Sequence, residues 1–146
     1  METRLEWMGG VAWCARSDSQ HSITIDGAEK IGGANKGPRP MELIVKGLCG
    51  CAAMDVISIL TKQKQQIAHA TIHARADRTD DIPSVFKQIH LTFDFEGDAL
   101  KPQLLRRAVS LSMDKYCSVS KMLSATVEIT YSVALNSVKL ESAGEI

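Results

Sequence analysis

Residues 40–60 of the chain read PMELIVKGLCGCAAMDVISIL, and this stretch decides the fold. Pro40 suits the first position of a helix and Glu42 suits the positive end of its dipole, so we predict a helix over 40–64. From Leu43 to Leu60 apolar residues cover nearly every face, whereas a surface helix carries one apolar stripe. A single domain can hardly wrap a helix of about 37 Å. A second subunit is the simplest cover, and we therefore expect a homodimer.

Alternating apolar and polar residues around this helix predict short strands. Three lie before it, two follow it, and one lies near the end of the chain: Leu5–Trp7, Val11–Arg16, Ser22–Asp26, Ile67–Asp77, Gln88–Glu96 and Thr126–Leu135. A second helix is predicted over 101–116, because Lys101-Pro102 opens a run of apolar residues at helical spacing. The order βββ-α-ββ-α-β indicates an α+β fold.

The element order and the length predict a single domain over 1–146, because 146 residues is an ordinary length for one domain. Strands and a loop occupy 1–36, the central helix 40–64, and the remaining strands with the second helix 67–136. The tail over 137–146 is expected to be frayed.

Composition and charge argue against several classes of protein, namely nucleic-acid-binding, membrane-associated and secreted proteins. The chain of 146 residues is 45% hydrophobic and 23% charged, and its 17 basic residues balance its 17 acidic ones. A zero net charge argues against a nucleic-acid partner, which would require a basic surplus. The apolar stretch 43–60 contains Lys46 and Asp55 and falls short of the roughly 20 residues that span a bilayer, so no membrane association is expected. The N-terminus has no apolar signal-peptide core, which favours a cytoplasmic location.

Four cysteines are the candidates for chemistry: Cys14, Cys49, Cys51 and Cys117. In a reducing cytoplasm they are read as buried thiols, metal ligands or redox groups before structural disulfides. Cys49 and Cys51 are two residues apart on a helix and point about 200° away from each other, so they cannot form one redox pair. Cys51 and Cys117 could do so if the two helices pack together. The alternative is that each cysteine is an ordinary small apolar core residue.

The surroundings of Cys51 favour a functional role for this cysteine. Gly50 precedes it, at a cost of roughly 1 kcal/mol in helix propensity that close approach of a backbone or a substrate would justify. Lys46 and Asp55 lie on the same, otherwise apolar helix, and a buried charge requires a partner or a function. The alternative is that Lys46 pairs with Glu42 and that Asp55 makes only a local contact.

The sequence predicts no metal ion and no cofactor. His69 and His73 are four residues apart on a predicted strand, which separates them by about 13 Å and prevents them from sharing a zinc ion. Motifs for zinc ribbons, phosphate-binding loops and serine hydrolases are missing from the sequence.

The chain as a whole resembles the OsmC/Ohr family, the osmotically inducible protein C and organic hydroperoxide resistance proteins. The resemblance lies in Pro40-Met41-Glu42-Leu43, Gly50-Cys51 and Tyr116-Cys117-Ser118-Val119-Ser120, and it extends over about Leu5 to Leu135. The Tyr-Cys-Ser-Val-Ser segment is most similar to the YhfA-like branch, since other members have Cys-Pro-Val-Ser at this position.

The resemblance implies an intertwined homodimer with two long central helices and active sites at the subunit interface. It also implies reduction of small organic hydroperoxides, with Cys51 as the peroxidatic thiolate, Cys117 as the resolving thiol and an unidentified dithiol as reductant. Glu42 is the candidate acidic residue of the site. In peroxidase members a Glu directly follows the Pro, and an Arg follows a Gly-Gly turn.

This chain departs from that pattern at two points. Met41 follows Pro40, so that Glu42 comes one residue late, and Val11 follows Gly9-Gly10 in place of an arginine. Arg16 and Arg39 are the candidate replacements. The sequence therefore supports two hypotheses: a thiol-dependent peroxidase, and a dimeric protein of the same fold that binds a small molecule or thiol ligand without catalysis. A different thiol reaction is a third reading.

Overall fold

The computed structural model describes residues 1–141 and the backbone of residues 144 and 145. It divides the chain into two compact units, Met1–Lys46 and Gly47–Ile146. The predicted α+β class and the predicted order of the main strands and helices are confirmed.

The first unit contains a three-stranded antiparallel sheet of β1 (Thr3–Trp7), β2 (Trp13–Ser17) and β3 (Ser22–Ile25), in that order. The register pairs Trp7 with Trp13 and Leu5 with Ala15, so that apolar side chains gather on one face as the alternation predicts. Much of this face is exposed to solvent.

The loop that follows the sheet is held by one buried carboxylate. Asp26 accepts hydrogen bonds from the backbone N–H groups of Lys36 (2.9 Å), Ala34 (2.9 Å) and Gly27 (2.8 Å). These bonds lower the pKa of Asp26, because they favour the charged form. The sequence pattern predicts only a flexible glycine-rich loop here. In the structure the hydrogen bonds to the Asp26 carboxylate fix the backbone of this loop.

Helix α1 comprises Pro40–Lys62 and ends two residues before the predicted limit. The residues it buries in this chain are Leu48, Ala52, Val56 and Leu60, a stripe at four-residue spacing. The rest of the apolar surface is largely open, and only 22% of its most apolar 18-residue window is buried, at a mean hydropathy of 1.9. By length and composition alone the helix could cross a membrane, so the expectation that it falls short is corrected.

The second unit is built on a mixed sheet. Its long strands are β4 (His69–Arg78), β5 (Phe86–Glu96) and β6 (Glu128–Leu135), with β4 antiparallel and β6 parallel to β5. One face of the sheet forms the core, to which β5 and β6 contribute the fully or almost fully buried Phe86, Ile89, Leu91, Phe93, Phe95, Ile129, Tyr131 and Val133. The period-two pattern of the sequence predicted this face.

The predicted second helix over 101–116 is two elements in the structure, and the break and re-start that the sequence predicts at Cys117–Ser120 is the start of a third. Helix α2 (Pro102–Leu111) continues into a π-helical turn (Ser112–Tyr116), and helix α3 (Ser118–Leu123) follows Cys117. The N–H group of Cys117 donates to the carbonyl of Ser112, five residues earlier, at 2.8 Å. A π-helical turn accommodates one residue more than an α-helical turn, and periodicity cannot reveal it because the apolar spacing changes over only one turn.

The tail differs from the frayed segment expected over 137–146. Strand β7 (Val138–Lys139) pairs with β6 after a turn at Asn136 and Ser137, and the backbone of β8 (Gly144–Glu145) pairs with β6 as well. Both strands pair with backbone N–H and C=O groups of β6. The sequence over 137–146 does not alternate strongly between apolar and polar residues, so it does not predict this pairing. Residues 142, 143 and 146 lie outside the described part of the chain.

Candidate functional site

The structure brings Cys51 and Cys117 together. Cys51 lies on α1, Cys117 follows the π-helical turn, and the two thiols are close enough for Cys51 to raise the pKa of the Cys117 thiol. Both thiols are free, Cys51 is partly exposed and Cys117 is buried. Two neighbouring thiols can close to a disulfide where the chain brings their Cα atoms to within about 4.4–6.8 Å.

The backbone around Cys117 holds its sulfur in place. Cys117 is the N-cap residue of α3, and its Sγ accepts a hydrogen bond from the N–H of Ser120 at 3.4 Å. The buried hydroxyl of Ser120 donates to the carbonyl of Met113 at 3.3 Å, and the buried hydroxyl of Ser112 donates to the carbonyl of Ala52 on α1, also at 3.3 Å. The last of these bonds ties the π-helical turn to the turn of α1 that carries Cys51.

Burial is the main cause that raises the pKa of the Cys117 thiol to about 11; the neighbouring Cys51 acts in the same direction, and the N–H of Ser120 acts in the opposite one. Cys117 is therefore protonated at neutral pH. A protonated thiol is a poor nucleophile toward a peroxide, since the thiolate is the reacting form. Of the two thiols, the partly exposed Cys51 is the better placed to attack an external substrate.

A groove lies along the second half of α1, where its first lining residue, Asp55, is one helical turn beyond Cys51. It has a volume of about 390 Å³, and its lining residues are Asp55, Ser58, Ile59, Lys62, Gln63, Leu111 and Tyr116. Asp55 lies one helical turn beyond Cys51, and Tyr116 directly precedes Cys117. The sequence indicated that Asp55 requires a partner or a function, and the structure places it at the wall of this groove. We refer to these seven residues as the α1 groove.

Sequence reasoning missed several residues of this region. In the sequence Gln63 is an ordinary residue of a helix end and Tyr116 an ordinary aromatic, Ser112 falls within the predicted second helix, and Ser120 falls in the break that follows it. The sequence could have indicated Tyr116, because it belongs to the Tyr-Cys-Ser-Val-Ser motif. It could not have indicated the two serines, because their burial follows from the π-helical turn.

Cys49 faces a different environment on α1. It lines an apolar cavity of about 340 Å³ with Gly50, Ala53, Val56, Ile57, Ala70, Ile72, Phe93 and Phe95. Burial raises the pKa of the Cys49 thiol, because the apolar wall disfavours the thiolate. Cys14 lies in the middle of β2, opposite Glu6 and Thr24 of the neighbouring strands.

Glu42 belongs to the first unit, where it stabilises the start of α1. Its carboxylate accepts from the backbone N–H of Arg39 at 3.2 Å and forms an ion pair with the guanidinium at 3.1 Å. These bonds to Arg39 lower the pKa of Glu42. The ion-pair partner of Glu42 is therefore Arg39, whereas the sequence suggested Lys46.

His69 and His73 lie on β4 at separate register positions, opposite Glu96 and Thr92. In the part of the chain that the structure describes, no three side chains of His, Cys, Asp or Glu gather in a way that would hold a metal ion.

Comparisons with known proteins identify the family. The family model described as OsmC-like protein matches residues 33–132. The protein YhfA of Escherichia coli K12 is 38% identical over 132 residues, which cover 90% of this chain and 96% of the relative. A solved structure from structural genomics shares 36% identity and superposes with a TM-score of 0.84 over 92% of this chain and 98% of that one.

A more distant likeness extends the fold comparison. The organic hydroperoxide resistance protein OsmC of Legionella pneumophila is 15% identical, with a TM-score of 0.68, and the match covers 92% of this chain and 97% of that chain. At this identity the likeness concerns the fold alone. Together with the relative and the family model, it confirms the resemblance that the two cysteine motifs indicated: the chain belongs to the OsmC-like protein family.

Proposed function

We propose that this protein is a cysteine-dependent peroxidase that reduces organic hydroperoxides. The observation that carries the proposal is the pair of neighbouring free thiols, one partly exposed (Cys51) and one buried and protonated (Cys117). A distant relative in fold, from Legionella pneumophila, is named an organic hydroperoxide resistance protein.

The reaction follows from the positions of the two sulfurs. The Cys51 thiolate attacks the O–O bond of the hydroperoxide, which yields the alcohol after protonation and leaves Cys51 as a sulfenic acid. The Cys117 thiol then attacks this sulfur, and the hydroxyl group leaves as water with the proton of Cys117. The product is a Cys51–Cys117 disulfide, which two reducing equivalents from a thiol reductant return to the dithiol.

The test is peroxide consumption by the purified protein with dithiothreitol and tert-butyl hydroperoxide. We expect turnover, and we expect peptide mapping after oxidation to find Cys51 joined to Cys117 with Cys14 and Cys49 free. A main disulfide that contains Cys14 or Cys49, or no peroxide consumption, would refute the proposal.

Glu42 is included as a candidate catalytic residue. The hydrogen bonds from Arg39 lower the pKa of its carboxyl group, so its role would be that of a negative charge and not of a proton donor at neutral pH. The expected effect of Glu42→Gln is a severalfold decrease in kcat/KM. An unchanged kcat/KM would restrict Glu42 to its role at the start of α1.

The proposal includes a homodimer. In the first unit Leu5 and Trp7 are exposed on the apolar sheet face, and on α1 Met54 and Ile57 are exposed, Met54 at 75%. Exposed apolar surface of this extent is typical of an interface. We expect an interface above about 2,000 Å² in total. Sedimentation of the protein as a stable folded monomer at micromolar concentration would exclude it.

A cytoplasmic location also belongs to the proposal, because four free cysteines suit a reducing compartment. Detection of the protein by cell fractionation outside the cytoplasmic fraction would exclude it.

A second function, non-catalytic binding of a small apolar molecule, is supported by the cavity beside Cys49. The Cys51→Ser variant separates the two functions. A variant that still consumes organic hydroperoxide at the wild-type rate would exclude the peroxidase and favour the binding protein.

A further inference from the structure

A chain of hydrogen bonds connects α1 to the backbone of Cys117. The hydroxyl of Ser112 donates to the carbonyl of Ala52, the residue that follows Cys51 on α1, at 3.3 Å. The carbonyl of Ser112 in turn accepts the N–H of Cys117 at 2.8 Å. These two bonds in series fix the backbone of Cys117 relative to the turn of α1 that carries Cys51.

Ser120 holds the other side of the Cys117 residue, where the sulfur lies. Its N–H donates to the Sγ atom of Cys117 at 3.4 Å, and its hydroxyl donates to the carbonyl of Met113 at 3.3 Å. The residue is fully buried, so the hydroxyl bonds to the protein and not to water. The hydroxyl therefore holds the first turn of α3 against the π-helical turn, and the N–H of the same residue is directed at the sulfur.

The bond from Ser120 restricts the sulfur in a way that the backbone bonds do not. A cysteine sulfur can occupy three staggered positions about its Cα–Cβ bond. The N–H of Ser120 favours one of them, the N-cap position of α3. In this position the sulfur is close enough to Cys51 for the two thiols to interact. A nucleophile that is already oriented toward the attacked atom reacts faster than one that must first find its orientation.

The same bond acts on the proton of Cys117. The thiolate is the attacking form, and burial disfavours it by raising the pKa of the thiol. The N–H of Ser120 lowers this pKa, because it stabilises negative charge on the sulfur. One hydrogen bond thus favours both the orientation and the ionisation that attack by Cys117 requires.

We propose that Ser120 is a positioning residue for the second step of the reaction, the attack of Cys117 on oxidised Cys51. Its hydroxyl aligns its N–H, and the N–H orients the sulfur. The inference rests on the proposed function in one respect, namely that Cys117 is the resolving thiol. A slow second step leaves the Cys51 sulfenic acid open to another peroxide molecule, which oxidises it to the sulfinic acid. Ser120 thereby limits over-oxidation of Cys51.

The test separates two thiol steps with the aromatic disulfide dithiobis(nitrobenzoic acid), so it does not depend on peroxide. A background variant with Cys14→Ser and Cys49→Ser leaves Cys51 and Cys117 as the two thiols. The Cys51 thiolate attacks the reagent and releases one thionitrobenzoate, at a rate proportional to the reagent concentration. Cys117 then attacks the Cys51 sulfur of the mixed disulfide, loses its proton and releases the second thionitrobenzoate, at a rate independent of that concentration.

Ser120→Ala is expected to slow the second release about threefold, the factor for a sulfur spread over the staggered positions, and to leave the first release unchanged. The second rate rises with pH, and this rise should move to higher pH in the variant, because the N–H is no longer aligned to stabilise the thiolate. A purely structural role would not move this pH profile. After exposure to peroxide, intact-protein mass should show more sulfinic acid in the variant.

The matched control is another buried serine. The hydroxyl of Ser132 is hydrogen-bonded within the sheet, to His90 and Thr92, each at 3.1 Å. Ser132→Ala is expected to lower stability and to change neither release. Ser112→Ala interrupts the chain between α1 and Cys117 and should slow the second release, so it decides the question if Ser120→Ala does not fold.

Several results would overturn the proposal: an unchanged second release in Ser120→Ala or, if that variant does not fold, in Ser112→Ala; equal slowing of both releases; slowing of the same size in Ser132→Ala; or release of only one thionitrobenzoate by the background variant. A selectively slower second release in a protein that does not consume organic hydroperoxide would refute the peroxidase and keep the positioning role of Ser120.

Discussion

Cys49 and Cys51 lie two residues apart on α1, and their surroundings differ. Cys49 lines an apolar cavity that contains no second cysteine among its lining residues. Cys51 lies close enough to Cys117 to raise the pKa of its thiol, and Asp55, one helical turn beyond Cys51, lines a groove. Both residues are thiols on one helix, so the difference comes from what the rest of the second unit places against each side. The reactivity of a cysteine is a property of its neighbours in space.

The largest expected effect distinguishes the two cysteines by activity. Cys51→Ser removes the attacking sulfur and is expected to abolish peroxide turnover, whereas Cys49→Ser is expected to leave turnover within about twofold. Cys117→Ser should allow one oxidation of Cys51 and then stall at the sulfenic acid, or at the sulfinic acid under excess peroxide. The measurements are steady-state peroxide consumption and intact-protein mass. Loss of turnover in Cys49→Ser with full turnover in Cys51→Ser would reverse the assignment.

The second expected effect is on stability at alkaline pH. The pKa of Cys117 is raised in the folded protein to about 11, so the folded state keeps a proton that the unfolded state loses from about pH 9 upward. Stability from this group is complete below the pKa of the unfolded thiol and declines as the pH rises toward 11. Urea denaturation at several pH values should show a steeper alkaline loss in the wild type than in Cys117→Ser. Equal slopes would contradict the raised pKa.

A third effect concerns the bond that ties the π-helical turn to α1. Ser112→Ala removes the donor to the Ala52 carbonyl and is expected to lower the free energy of unfolding by about 1 kcal/mol, the typical net contribution of one hydrogen bond. Closure of the Cys51–Cys117 disulfide should also slow. Ser124→Ala, which removes an exposed hydroxyl, is the control and should change neither quantity.

The smallest expected effect is the stability of Cys49→Ser. A hydroxyl in an apolar wall loses hydrogen bonds to water, which costs on the order of 1 kcal/mol when partial compensation is available. Thermal denaturation should show a small decrease in Tm, with unchanged mapping of the Cys51–Cys117 disulfide. A large loss of activity without loss of stability would show that the apolar side of α1 takes part in catalysis.

The sequence predicts the fold well where local chemistry decides it. Pro40 and the apolar run after it predict the start of α1 within one residue, and the alternation of Phe93 and Phe95 with polar neighbours predicts the buried face of β5. The end of the second helix is different. The π-helical turn depends on tertiary contacts such as the bond from Ser112 to Ala52, which leave no periodic signal.

The candidate site was predictable in part. The motif around Gly50-Cys51 and Tyr116-Cys117 predicts the thiol pair, and the isolated charge of Asp55 predicts that this residue has a partner or a function. Gln63 lies at a polar helix end where an amide is unremarkable in the sequence. Only its burial without a hydrogen bond distinguishes it, and burial is a property of the packed chain.

The π-helical turn at Ser112–Tyr116 determines where along this part of the chain a single-codon deletion can be tolerated. Because this turn holds one residue more than an α-helical turn, removal of a single codon within it would restore α-helical bonding and leave the orientation of the following residues unchanged. A single-codon deletion within α2 would instead rotate them by about 100° and turn Cys117 away from Cys51. The same single-codon deletion in the connection between β4 and β5, over residues 79–85, would fall in a surface loop that can absorb it. Single-codon deletions should therefore be absent from α2 in functional variants, and the π-helical turn and the loop over 79–85 should tolerate them better.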